Sequence, residues 1–160
     1  MAGNERFTSR VRDAFLMLKG IDPLLGPELL AILRAMGHGD EIVVADANFP
    51  SAALARRLVR ADGIDATRML TAILSLMPLD DFASAAFRMA VVGKPDEVPP
   101  IVGDFQNVLR RNGETRPIEA LERNEFYERA RGAFAVVATG ETRLYANLIL
   151  KKGVIRPDAA

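Results

Sequence analysis

The chain holds a single histidine, His38, set between Gly37 and Gly39. An imidazole, with an unperturbed pKa of about 6.5, both takes and gives protons near neutral pH, so this side chain is the one suited to general acid/base work. The flanking glycines would let the backbone come close to a ligand. A plain structural role is the alternative: a histidine near a helix C-terminus meets the negative end of the dipole. Further along, Asp46 closes an apolar run and precedes Ala47-Asn48-Phe49-Pro50, which puts a carboxylate at the carboxyl end of a strand, where open α/β sheets hold ligands. A local turn aspartate is the competing reading. Tyr145 and Asn147, two apart in an expected strand, point to one side and present a phenol and an amide together. Asp80 and Asp81 follow Pro78 and read as a solvated loop.

Composition removes most other chemistry. The 160 residues include no cysteine and one histidine, which rules out thiol nucleophiles, iron–sulfur clusters, Cys/His zinc sites and any arrangement needing two histidines. Twenty-one basic residues balance 21 acidic ones, so no overall field draws the chain to nucleic acid or an anionic membrane. Arg56, Arg57 and Arg60 cluster, yet without interleaved aromatics they read as a solvated face. The glycines form neither a G-x-G-x-x-G nor a G-K-[ST] pattern, and Ser51 lacks a G-x-S-x-G frame, so nucleotide cofactors and serine hydrolysis drop out.

These groups need elements to hold them. Residues 1–13 have no strong period and read as an N-terminal extension; 14–160 read as one domain. Pro27, Glu28 and the apolar positions Leu29, Leu30, Ile32, Leu33 and Met36 predict a helix between Gly26 and Gly37. Ile42-Val43-Val44-Ala45 is a short β-branched run of the kind covered on both faces. A second amphipathic helix runs from Asp65 to Pro78, a third lies between Val98 and Gly113, and Glu125–Arg131 is helix-prone. Strands are expected at Phe87–Val92, Phe134–Thr139 and Tyr145–Leu150. Helices interleaved with short buried strands make an α/β domain. Counting glycine, about 55% of the chain is apolar against the usual 45–50%, surface that subunit contacts would cover. No apolar run is long enough to span a bilayer, and the amino terminus lacks a signal-peptide core, so a cytoplasmic location is expected.

Several uncommon blocks occur together: Met17-Leu18-Lys19-Gly20-Ile21, Met36-Gly37-His38-Gly39-Asp40-Glu41-Ile42 and Asp46-Ala47-Asn48-Phe49-Pro50. They are followed by Arg60-Ala61-Asp62-Gly63, Phe126-Tyr127-Glu128-Arg129-Ala130, Thr139-Gly140-Glu141, Tyr145-Ala146-Asn147 and Leu150-Lys151-Lys152-Gly153. In this order and spacing they resemble the D-ribose pyranase and L-fucose mutarotase family over about residues 17–154. The Gly-His-Gly-Asp-Glu and Phe-Tyr-Glu-Arg-Ala blocks are closer to the fucose branch. The departures are the extension before residue 14 and the segment from Ser51 to Leu58.

The resemblance implies a central sheet flanked by helices in a homo-oligomer, decameric rings included, and cofactor-free, metal-free interconversion of the anomers of a fucose-like monosaccharide. His38 matches the family's catalytic histidine, Asp46 its sugar-binding aspartate, and Tyr145 and Asn147 its binding Tyr-x-Asn. Asp80, Arg123 and Tyr127 match further pocket positions, with Tyr127 expected to orient the ring or relay a proton. A D-ribose pyranase, another aldose mutarotase and a non-catalytic sugar-binding oligomer are the alternatives. The chemistry suits so small a set: mutarotation moves protons only, and one positioned acid/base typically supplies 10²–10⁴-fold.

Overall fold

The computed structural model describes residues 17–159; the proposed extension over residues 1–13 lies outside them. Six strands form one mixed sheet between two layers of helix. In chain order the elements are α1 (Pro27–Ala35), β1 (Glu41–Ala45), α2 (Ser51–Leu54), β2 (Leu58–Ala61), α3 (Ala66–Leu74), β3 (Ala86–Met89), α4 (Pro100–Arg111), β4 (Glu119–Leu121), α5 (Arg123–Gly132), β5 (Ala135–Thr139) and β6 (Leu148–Lys151), with a closing 3₁₀ turn at Pro157–Ala159. The sheet order is β2-β5-β1-β6-β3-β4. β2, β5 and β1 pair in parallel, as do β3 and β4, and β6 runs antiparallel between β1 and β3. Five strands therefore end on the same side of the sheet, and β6 begins there.

Alternation along the central strands sorts the core. Ile42, Val44, Val137, Leu148 and Leu150 face α1, α3 and α4, where Phe105, Leu109, Met69, Leu70 and Ile73 pack against them. Val43, Ala45, Val136 and Ile149 face the other way, onto Phe126 and Ala130 of α5 and Leu54 of α2. Both faces are covered, as the unbroken β-branched run of β1 demands.

Element ends follow local chemistry. Pro27 opens α1 and Arg34 sits in its last turn; Asp65 caps α3 by accepting the Arg68 N–H at 2.8 Å. α4 begins at Pro100, with Pro99 as its N-cap, so its ends fall inside the expected 98–113 span. Three elements were not anticipated: α2, β2 and β4. The last two are short strands at the sheet's edges, with polar or exposed positions that carry no alternating signal. The expected strand at Phe87–Val92 ends at Met89. The one expected from Tyr145 begins only at Leu148, because Tyr145 has φ 59° and cannot lie in a strand. Among the described residues no helix is long and apolar enough to cross a membrane.

Candidate active site

Asp46 follows the last residue of β1, beside the residue that precedes β6. There Asn147 extends the β1–β6 ladder with its side chain: its Oδ1 accepts the Asp46 N–H at 2.8 Å and its Nδ2 donates to Asp46 Oδ2 at 3.0 Å. The Asn48 N–H donates to the other carboxylate oxygen at 2.9 Å. Both residues are buried, Asp46 at 4% exposure and Asn147 at 5%. Burial pushes the Asp46 carboxyl up from its ordinary value, against the backbone donors of Asn48, Phe49 and Ala146 and the Asn147 amide. An amide so tied keeps its orientation, and the pair forms a fixed polar floor.

Above this floor lies a pocket of about 280 Å³ lined by Asp46, Asn147, Tyr127, Tyr145, Arg123 and Phe49, among others. Arg123 is the first residue of α5, and Tyr127 follows one turn later. Phe126 and Ala130 are i, i+4 neighbours pointing into the sheet. Tyr127 thus falls at the helix's edge, where its ring lies 5.7 Å from that of Phe49. Arg129 anchors the same helix by forking Glu41 and stacking over Phe87 at 3.6 Å. Tyr145 reaches the pocket from a turn rather than a pleat. Its left-handed backbone, the one such non-glycine conformation among the described residues, costs on the order of 1–2 kcal/mol. Its hydroxyl accepts the Val92 N–H at 3.2 Å. The pairing of Tyr145 and Asn147 expected from strand alternation is therefore corrected: both line one pocket, but loop geometry brings them there.

His38 and Asp80 meet at the opposite end of the sheet, 3.1 Å apart from Nε2 to Oδ1. His38 is half-exposed, whereas the Asp80 side chain is 4% exposed, so the solvated-loop reading of Asp80 is wrong. Its loop is drawn inward because the Asp80 N–H donates to Lys151 at the end of β6. Arg116, paired with Glu114, also grips the carbonyls of Asp80 and Ala83 at 2.5 and 2.6 Å. Burial opposes ionisation of Asp80, yet the hydrogen bonds from His38 and the Phe82 N–H and the charges of His38 and Lys151 hold its pKa below the ordinary carboxylate value. An ionised carboxylate only accepts, so in the neutral imidazole the contact places the ring proton on Nε2 and leaves Nδ1 with a free lone pair. The structural role offered for His38, at the C-terminus of α1, is filled instead by Lys152, whose Nζ donates to the Leu33 and Met36 carbonyls.

The chain thus assembles two separate polar groups. Asp46, Asn147, Tyr127, Tyr145 and Arg123 share a pocket; His38 and Asp80 do not reach it. The strand from Glu41 to Asp46 separates the two ends by roughly 17 Å at about 3.3 Å per residue. Phe82, 69% exposed and packed 5.3 Å from the His38 ring, was not foreseen; its adjacency to Asp80 and Asp81 was the available signal. Glu141 and Arg143 carry no individual signal in the sequence, although Glu141 is as buried as Asp46. Among the described residues no cluster of three or more carboxylates or imidazoles is placed to hold a metal ion.

Comparison with known proteins follows the same lines. The model of the RbsD / FucU transport protein family matches residues 19–155. The chain is 50% identical over 145 residues to the fucose mutarotase of Homo sapiens, covering 86% of this chain and 94% of that one. It is similar to the crystal structure of the fucose mutarotase from Streptococcus pneumoniae in complex with L-fucose, with a TM-score of 0.82, 49% identity and coverage of 87% and 100%. The Bacillus subtilis RbsD structure complexed with D-ribose is more distant, with a TM-score of 0.66, 26% identity and coverage of 82% and 95%. A mixed sheet whose β1–β6 seam ends in an Asp–Asn pair, together with these matches over most of its length, makes the chain a member of the RbsD / FucU family.

Proposed function

We propose that this chain interconverts the α and β anomers of L-fucose by acid/base ring opening and reclosure. The observation that carries the proposal is the Asp46–Asn147 floor of a small pocket flanked by two tyrosines, in a chain half identical to a fucose mutarotase. Two carboxylate or amide edges and two phenols suit a ring of hydroxyls, and aromatic faces suit its C–H surface. The ribose reading is disfavoured by the lower likeness to RbsD.

In this reading His38 supplies the acid/base step. Its free Nδ1 takes the proton of the anomeric hydroxyl and hands it to the ring oxygen, so the ring opens to the aldehyde and the imidazole is neutral again. Rotation about C1–C2 presents the other face, and the reverse transfers close it. No bond to the protein forms, and the proton count is unchanged at the end. Asp80 fixes the imidazole tautomer, Asp46 and Asn147 hold hydroxyls, Arg123 closes the rim, and Tyr127 and Tyr145 orient the ring or relay the proton.

Because His38 and the pocket lie at opposite ends of one sheet, a complete site requires a second copy. We propose a homo-oligomer in which the His38 end of one protomer docks on the Asp46 end of the next. Exposed apolar groups stand at both ends, Phe82 against His38 and Val92 and Leu144 at the pocket, and head-to-tail contacts make a ring where the rotation closes. Magnetisation-transfer NMR between the anomeric protons of L-fucose tests the activity. Exchange should be accelerated by the wild type and lost in His38→Ala with sugar affinity retained. No acceleration by the wild type refutes the proposal in favour of a binding protein.

A further inference from the structure

Neither Glu141 nor Arg143 lines the sugar pocket, yet both are built into the loop that supplies two of its polar groups. The segment between β5 and β6 must hold Tyr145 in a left-handed conformation and present the Asn147 amide edge-on to Asp46. Such a geometry persists only where its surroundings over-determine it. At the loop's far end the ties are the Tyr145 hydroxyl and the Asn147 amide themselves. At its start everything converges on Glu141.

The Glu141 carboxylate, 4% exposed, accepts the Arg143 N–H, Nε and Nη2, each at 3.0 Å, and the Ala66 N–H at 3.3 Å. Arg143 extends its remaining nitrogen, Nη1, to Asp104 on α4 at 2.7 Å. The main chain is bound as firmly. The Glu141 carbonyl accepts the Ala47 N–H at 2.8 Å, next to Asp46. The Glu141 N–H donates to Thr139 Oγ1, whose hydroxyl donates to the Ala45 carbonyl. Helix capping accounts for only one of these bonds, the Ala66 N–H at the start of α3, since Asp65 takes the Arg68 N–H. Arg143 holds the Glu141 carboxyl down at about 2, so the fork stays charged throughout the working pH range.

We infer that Glu141 and Arg143 are positioning residues for the exchange: their fork clamps the start of the loop to α3, α4 and the Asp46 turn, and so fixes where Tyr145 and Asn147 stand. The inference rests on the functional reading above. Small displacements of binding groups cost rate steeply, up to about 10² for 1 Å.

The test compares wild type, Arg143→Gln, Arg143→Lys and the double change Glu141→Gln with Arg143→Gln, by fucose anomeric exchange per folded protomer below each unfolding transition. Variants lacking the fork should lose about tenfold in kcat, about 1.4 kcal/mol. KM should move less than about threefold, separating alignment from affinity. Arg143→Lys should recover thermal stability but not kcat, because an ammonium cannot reproduce the planar fork. If Arg143→Gln strands a buried carboxylate and fails to fold, the double change, which removes both charges, carries the comparison. Wild-type kcat in any folded variant, or a loss confined to KM, overturns the inference while leaving the function intact. Absence of exchange in the wild type itself overturns both.

Discussion

Mixed assemblies give the sharpest check on a site divided between protomers. Co-expression of His38→Ala and Asp46→Asn chains under different affinity tags, followed by purification through both tags, yields oligomers containing each. Alone, His38→Ala loses the acid/base group, a loss of at least about 100-fold. Asp46→Asn loses a charge-assisted hydrogen bond, about 10–100-fold. If the roughly 17 Å between the two ends of β1 is bridged by a neighbour, a site in the mixture is intact only when its histidine comes from an Asp46→Asn chain and its aspartate from a His38→Ala chain. With equal, random incorporation that holds for about one site in four in a head-to-tail assembly. The exchange assay should then return about a quarter of wild-type activity, well above either parent. If each chain builds its own site, no site in the mixture is whole and activity stays at the parental level, which would refute the divided arrangement.

Other outcomes follow from single features. In Gly140→Ala the added Cβ would overlap the Asp62 carbonyl, which is backbone and cannot rotate away; a loss of about 2–3 kcal/mol in urea unfolding is expected. Phe105→Ala, at a side chain with no exposure between α4 and the sheet, should cost about 3–5 kcal/mol by calorimetry or denaturant. Glu141 has a folded pKa of about 2 against an ordinary 4.5, so its stabilisation, at most about 3 kcal/mol, is complete above pH 4.5 and lost as pH falls toward 2. Denaturant midpoints across that window should fall in the wild type, and fall less in the double change Glu141→Gln with Arg143→Gln.

Legibility in the sequence tracked the strength of the local physical signal. α1 and α3 were readable because Leu29, Ile32, Leu33 and then Met69, Leu70, Ile73 repeat at helical spacing between clear stop signals. β1 was readable because a strand buried on both faces is apolar along its buried length, here Ile42 to Ala45. β4 was not, since Glu119 and Ala120 are exposed at the sheet's edge and any residue would serve there. Among the pocket groups, Asp46 announced itself by terminating an apolar run. The true placement of Tyr145 did not, because no pattern in neighbouring residues encodes a tyrosine with positive φ; contacts at both ends of its loop impose it. The burial of Asp80 was equally hidden. An aspartate after Pro78 looks solvated until Arg116, 36 residues later, ties down its backbone. The separation of His38 from the pocket was implicit all along in the length of the strand between them.

The place of β6 bears on how the protein is made. Among the described residues it is the last strand in chain order, yet it lies in the middle of the sheet. While a ribosome is still synthesising residues before 148, β1 and β3 each present a naked hydrogen-bonding edge with no mate, and no backbone hydrogen bonds join the two halves of the sheet. The nascent polypeptide therefore remains vulnerable to sticking to others of its kind until β6 emerges. A premature stop before Leu148 removes the keystone and leaves both edges open for good.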